Sequence, residues 1–255
     1  MVCPQCVGMA RQFGEKLARR ELRRYHRRGP TASTRRLIDA LISGGGGRGG
    51  DGGGSHAGPE VPRRSGFGGR GGAGGGGVEG LSLLDVGGGI GAIQLELLQA
   101  GASSAVDVEA APAYLKVAQE EAARRGLTGR ITYLLGDFAE LVEHLEHADI
   151  ITLDRVICCY PDMPALLGRS AAKARRRLGL VYPRTHWLMR LARPIVNLVS
   201  RLRHCPFRFY LHSPAAIDDL IRSAGFVPLH QSHTPLWNIA VYGRGGAVVP
   251  LGPPA

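Results

Sequence analysis

The sequence is poor in several things, and each shortage narrows what the chain can be. No apolar run approaches the ~18 residues of a helical membrane span; the most lipid-like stretch, 187–199, is interrupted by Arg190 and Arg193. Cysteine is scarce and odd in number, with five residues at positions 3, 6, 158, 159 and 205, which suits reduced thiols better than a disulfide framework. The N-terminus lacks a basic segment followed by an apolar one, so no secretory leader is expected and the cytoplasm is the expected compartment. Lysine is almost missing: nearly all of the 32 basic residues are arginine.

What is present is the material of a globular domain: 255 residues, 44% hydrophobic and 21% charged. The net charge of +11 sits mostly at one end. Residues 1–80 hold fourteen Arg/Lys against six Asp/Glu, the remainder eighteen against fifteen. A basic arm of this kind suits nucleic acid or acidic surfaces, while an Arg- and Ala-rich composition throughout suits a coding bias equally well. The glycine excess is local too, since twenty of the 38 glycines fall between Gly44 and Gly80.

From Ala10 to His26 apolar residues recur at Ala10, Phe13, Leu17, Leu22 and Tyr25 with charges between them, the spacing of an amphipathic helix closed by Gly29-Pro30. Thr31 or Ser33 can cap a second helix carrying Leu37, Ile38, Leu41 and Ile42. Residues 44–80 cannot bury enough apolar surface to offset their chain entropy and read as a disordered linker. Its Arg-Gly-Gly steps at Arg48 and Arg70 are too few to carry an RNA-binding reading. Beyond it, strands are predicted near Leu81–Val86, Ser104–Glu109, Arg130–Leu135, Asp149–Leu153, Leu178–Tyr182, Phe226–His230 and Asn238–Tyr242. Helices fit at Ile90–Ala100, Pro112–Arg125, Phe138–His144, Met163–Arg176, His186–Leu202 and Ser213–Ala224. Strict alternation predicts an α/β fold, a doubly wound, mostly parallel seven-stranded sheet of the Rossmann-like kind, ending in an antiparallel hairpin and preceded by N-terminal helices. The regions are a helical arm (1–43), the linker (44–80) and the main domain (81–255).

Where the first strand of that domain ends stands Leu83-Leu84-Asp85-Val86-Gly87-Gly88-Gly89-Ile90-Gly91, and Glu109 ends the second strand. Glycines there let the backbone approach a ligand at the carboxyl end of the sheet. No Lys-Ser/Thr follows, which excludes a P-loop. This run resembles motif I of the class I S-adenosylmethionine-dependent methyltransferases, in the group that acts on small molecules. Three further stretches continue the resemblance: Glu109-Ala110-Ala111-Pro112 through Ala118, Gly136-Asp137-Phe138, and Ala148 to Asp154.

The resemblance implies that 81–255 binds S-adenosylmethionine. It implies that Gly87, Gly89 and Gly91 pass beneath the methionine part and ribose, that Glu109 accepts from the ribose hydroxyls, and that Asp137, with Phe138 beside it, holds the adenine. Asp85 and Asp154 complete the cofactor set. Asp107 shares Glu109's side of the strand but would lie inside it. The same carboxylates can instead simply cap the helices that follow them.

Methyl transfer from a sulfonium disperses charge, so alignment in a dry pocket can supply most of the acceleration without a catalytic triad. For an oxygen acceptor the candidate catalytic residues are His186, His212 and Tyr160, with Tyr182, Arg184, Arg208 and Tyr210 nearby in sequence. Cys158-Cys159 reads as packing rather than as a nucleophile. Cys3-x-x-Cys6 has the spacing of half a zinc site but no partners close by, His144 and His147 read as surface, and no metal is expected. Tyr160-Pro161, the amphipathic helix at His186–Leu202 and the aromatic-basic segment before Ser213 are loosely similar to magnesium-protoporphyrin methyltransferases. The expected function is methylation of an O or N atom of a small molecule; an RNA-directed protein or a non-catalytic binding protein is the alternative, and the oligomeric state is open.

Overall fold

The computed structural model describes Gly8, residues 12–44 and residues 77–245, and the structural statements below refer to these. Cys3, Cys6 and most of the glycine-rich stretch lie outside the described residues. The elements in chain order are α1 (Glu15–Arg28), α2 (Ala32–Ile42), β1 (Ser82–Val86), α3 (Ala92–Gln99), β2 (Ser104–Glu109), α4 (Pro112–Arg124), β3 (Ile131–Leu135), α5 (Phe138–Leu141), β4 (Ala148–Asp154), α6 (Met163–Lys173), β5 (Ala174–Pro183), α7 (Trp187–Leu202), α8 (Pro214–Ser223), β6 (Phe226–His233) and β7 (Trp237–Arg244). Short 3-10 turns fill 128–130, 142–144 and 157–159.

One seven-stranded sheet runs in the order β3-β2-β1-β4-β5-β7-β6. The first five are parallel, and β7 lies antiparallel between β5 and β6. Because side chains alternate along a strand, each central strand feeds two cores. Leu83, Ile150, Val181 and Val241 join the core beneath α2, α3 and α4, whereas Leu84, Ile151, Leu180 and Tyr242 join the one beneath α6 and α8. Sheet order reverses between β1 and β4, which opens the crevice where ligands of such sheets bind.

The two N-terminal helices lie on the first of these faces. Leu37 and Leu41 of α2 are fully buried among residues of β5, β7 and α3. Helix α1 is fastened to α4 at Glu121, whose carboxylate meets His26 at 2.9 Å, Arg124 at 2.6 Å and Arg125 at 2.8 Å. Burial opposes its ionisation, yet these three neighbours outweigh burial and hold its pKa down to about 2. Tyr25 donates to Glu96 at 2.5 Å beneath the Arg125 guanidinium.

Most boundaries expected from the sequence hold, with instructive exceptions. The helix expected to reach Arg176 stops at Lys173, and β5 starts at Ala174, opposite Ala148. The arginine run there reads as a helix surface, but Arg177 is buried and its Nη1 donates to Leu41 O (2.8 Å) and Gly77 O (3.1 Å). One guanidinium thus holds both ends of the glycine-rich stretch, and Val78, next to that end, is a core residue at 1% exposure. Helix α5 is a single turn that tightens into a 3-10 turn after Leu141, which shortens the helix expected to reach His144.

Candidate active site

The crevice is built from strand ends. After Val86 the chain turns through Gly87, whose φ of +68° favours glycine and whose Cβ position lies 2.5 Å from Val156 Cγ2. A Cβ on Gly88 would meet Asp107 Oδ1 at 2.5 Å and Asp85 Oδ2 at 3.0 Å. The turn therefore rests directly on two carboxylates. Gly89 gives its N–H to Glu109, and Gly91 is the N-cap of α3.

Glu109, at the end of β2, is 4% exposed. Its Oε2 accepts from the Gly89 N–H at 2.9 Å and its Oε1 from the Ala111 N–H at 2.7 Å. A carboxylate offers about four lone-pair sites, so two remain for a ligand, and a cap and a ligand-binding role coexist in one residue. Burial raises its pKa, while the Ala111 and Gly89 amides oppose that rise. Asp107 lies one pleat further inside, as its place in the strand implies; its Oδ2 accepts from Gln94 at 2.8 Å and its Oδ1 is unpartnered. Asp85 accepts from the Thr152 hydroxyl at 2.7 Å through Oδ1, and its Oδ2 is also unpartnered. Burial, then the charges of Asp154 and Glu109, push Asp85 up to about 7 against the pull of Thr152; burial and Asp85 push Asp107 well up.

On one side of the turn is a narrow apolar slot between Val108, Phe138, Val156 and Leu166. At its rim Asp137 Oδ1 accepts from the Ala139 N–H and from the Tyr160 hydroxyl, both at 2.9 Å. Tyr160 therefore belongs to this slot. On the other side, Asp154 ends β4; its Oδ2 accepts from Thr34 of α2 at 2.6 Å and its Oδ1 from Arg155 Nε at 3.3 Å. Arg155 adopts φ +63°, a rare conformation for a residue with a Cβ, where β4 leaves the sheet. Between slot and Asp154 opens a cavity of about 260 Å³, walled by Phe13, Glu21, Tyr114, Arg155, Phe207, Phe209 and Trp237 as well as Glu109 and the turn. Phe13 stacks edge-on against both Tyr114 and Phe207. The Tyr114 hydroxyl is buried in this wall facing Glu21; burial and the Glu21 carboxylate push its pKa far up, which keeps it a donor.

The structure thus gathers Asp85, Gly87, Gly89, Gly91, Glu109, Asp137, Phe138 and Asp154 around one crevice. It does not bring His186 or His212 into the cavity wall. His186 Nε2 lies 3.1 Å from Pro235 O and borders a separate open groove with Arg184 and Asp218. His212 Nε2 lies 3.0 Å from Tyr160 O. A carbonyl only accepts, so in both rings that nitrogen carries the proton. Cys158 and Cys159 stand 3.8 Å apart, sulfur to sulfur, and both donate to Arg155 O; the contact with Cys159 and burial push the Cys158 thiol well up. Sequence reasoning missed Thr34, Tyr114 and Arg155 as site residues, and Glu21 with them. For Glu21 the only signal was an acid on the basic side of an otherwise arginine-rich helix.

These residues suit S-adenosylmethionine. Its amino and ribose groups are hydrogen-bond donors, and the buried acids Asp85 and Glu109 beside the turn keep acceptor sites open. Residues 83–177 match the family described as Methyltransferase domain. The sheet order and the glycine turn are those of a Rossmann-like fold, and residues 83–177 are similar to the methyltransferase domain of that family. Among particular relatives, nocamycin O-methyltransferase of Saccharothrix syringae is 28% identical over 177 residues, which cover 62% of this chain and 63% of that enzyme, a little under two thirds of its length. Magnesium protoporphyrin IX methyltransferase of Synechocystis with bound SAH superposes with a TM-score of 0.55 at 23% identity, over 66% of this chain and 76% of that one. An O-methyltransferase family 2 protein of Planctomyces limnophilus, in complex with apigenin, gives 0.55 at 19% identity over 90% of this chain and 61% of that one. At such identities the structural likeness is one of fold.

Proposed function

We propose that the chain transfers a methyl group from S-adenosylmethionine to an oxygen atom of a small molecule, with residues 12–44 completing the site. The observation that carries this reading is the cavity walled by Phe13, Tyr114, Phe207 and Trp237, which opens directly onto the glycine turn and Glu109. In this reading Glu109 holds the ribose diol with its two free lone pairs, the Asp137 slot takes the adenine, and Asp154 with Asp85 faces the ammonium. The bound cofactor supplies an electrophilic methyl carbon on a cationic sulfur. The aromatic wall would exclude water and align an acceptor oxygen towards that carbon, and the acceptor's proton must leave. Glu21 is the carboxylate on the acceptor side of the cavity, and we assign it to receive that proton, with Tyr114 donating to the acceptor. O-methylation by the curated relative supports the choice of oxygen.

No helix among the described residues is long and apolar enough to cross a membrane, and we place the protein in the cytoplasm as part of the same reading. The test is to incubate the protein with methyl-labelled S-adenosylmethionine and, separately, a panel of phenols and enols, a panel of amines, and mixed RNA across a salt series. Label in an oxygen acceptor, lost in Glu21→Gln, supports the proposal. Label in RNA with steep salt dependence, or cofactor binding without transfer to any acceptor, overturns it in favour of the RNA-directed or the non-catalytic reading.

A further inference from the structure

Helix α7 is amphipathic the wrong way round. Trp187, Leu191, Ile195, Leu198 and Leu202 recur four, four, three and four residues apart, so they form one stripe along a helix about 24 Å long. They are exposed by 74%, 57%, 57%, 57% and 71%, whereas the opposite side turns Asn197 and the buried Ser200 towards the protein. Single exposed leucines mean little, but a continuous row of five large side chains on one face marks a surface that something covers.

Charge says what. From Met163 to Ile217 the chain has eleven Arg/Lys and no Asp or Glu. At the C-terminal end of the stripe, Arg201 and Arg203 are exposed, whereas Arg190 and Arg193 share the face of Asn197 and line a groove with Leu211 and Pro214. An apolar face with a tryptophan at one end and exposed arginines at the other, in a stretch without acids, fits a helix lying in the plane of an anionic lipid surface: the stripe enters the acyl boundary and the guanidiniums reach the phosphates. We propose that α7 docks this protein onto anionic membranes. Asn197 ties the helix to the cavity, since its Nδ2 donates to Phe209 O at 3.0 Å and its Oδ1 accepts from the Phe209 N–H at 2.7 Å. The helix thus stands between the bilayer and the Phe209 wall of the cavity, and its docking is felt there through Asn197. The proposal rests on the helix alone and stands whether or not methyl transfer is the reaction.

The experiment is flotation of the full chain with vesicles of phosphatidylcholine alone and with an admixture of phosphatidylglycerol, at low and high salt, alongside light scattering to fix the oligomeric state. Binding is expected only to the anionic vesicles and to weaken with salt. Each arginine at an anionic surface is worth about fivefold in partitioning, so Arg201→Gln/Arg203→Gln should lose about 25-fold, and Arg190→Gln/Arg193→Gln, on the other face, should lose little. Leu191→Asn/Leu198→Asn should abolish binding without lowering the melting temperature, because both side chains are solvent-exposed in the free protein. Absence of binding, equal binding to both vesicle types, or binding unchanged in the leucine variant overturns the proposal. So does a dimer that the leucine variant dissociates, which would make this stripe the contact between two copies.

Discussion

Replacing Asp85 with asparagine is expected to make the protein more stable, by a margin that grows as pH rises from about 4 to about 7 and then levels off. Asp85 is 1% exposed, and its Oδ2 and Asp107 Oδ1 lie 3.0 and 2.5 Å from one point, the position of a Cβ on Gly88. Two carboxylates so placed beneath a glycine turn cannot both be charged cheaply, and burial, Asp154 and Glu109 push the Asp85 pKa to about 7. Since the folded-state value exceeds the unfolded one of roughly 3.9, the contribution to stability is fully present below pH ~4 and is lost as pH rises through ~7. Between pH 5 and pH 8 that amounts to about 2 to 3 kcal/mol for a single group moved this far. An asparagine at this position keeps the oxygen that accepts from Thr152 and can place an N–H towards Asp107 Oδ1, with nothing left to titrate. Urea unfolding of parent and variant at intervals from pH 5 to pH 8 measures the difference, with the slope m checked for constancy. Parallel pH profiles, or a variant less stable than the parent at pH 8, would refute the reasoning. The expected cost is functional: a buried charge near the proposed ammonium position is lost.

Glu121→Gln should loosen α1 from α4 and cost about 1–3 kcal/mol at neutral pH. Because the Glu121 pKa is depressed to about 2, the benefit is present above the ordinary carboxylate range and lost as pH falls through 2, so the gap in melting temperature should narrow below pH ~4 and close only at about pH 2. Gly88→Ala should drive a methyl into Asp107 and weaken cofactor binding at least tenfold. Gly168→Ala, whose Cβ in α6 meets nothing within 4 Å, should be neutral or stabilising by up to ~1 kcal/mol; equal effects of the two alanines would count against the close packing of the turn. Replacing residues 45–76 by a short Gly/Ser segment should leave the melting temperature within a few degrees, since Arg177 holds Leu41 O and Gly77 O on one nitrogen and loop closure depends weakly on length. A large drop in a thermal scan would show that the stretch contributes structure of its own.

What was legible in the sequence is what local chemistry dictates. The strand, glycine turn and helix around Gly87 follow one another in the chain, so their type and order could be read from period and turn residues. That helices cover both faces of the sheet followed from the strict succession of strand and helix. What was hidden depends on contacts between distant segments. Thr34 reaches Asp154 across 120 positions, and nothing in either neighbourhood announces it. The arginines at 175–177 have the look of a solvated helix, and only the α2 carbonyl beside Arg177 explains a buried cation in a strand. His186 and His212 were attractive by residue type, yet a side chain's reach is set by the carbonyl it binds. Periodicity showed that α7 has an apolar face, but not that this face points away from the protein.

The most direct test of the cofactor site is calorimetric titration of S-adenosylhomocysteine into the parent protein, Glu109→Ala and Asp107→Asn. The parent should bind; Glu109→Ala, which removes the acceptor for the Gly89 and Ala111 amides and the proposed acceptor for the ribose, should lose at least tenfold in affinity. Asp107→Asn, beneath the turn and facing Gln94, should lose less. No binding by the parent, or equal affinity in the parent and Glu109→Ala, would contradict the assignment of this crevice to the cofactor.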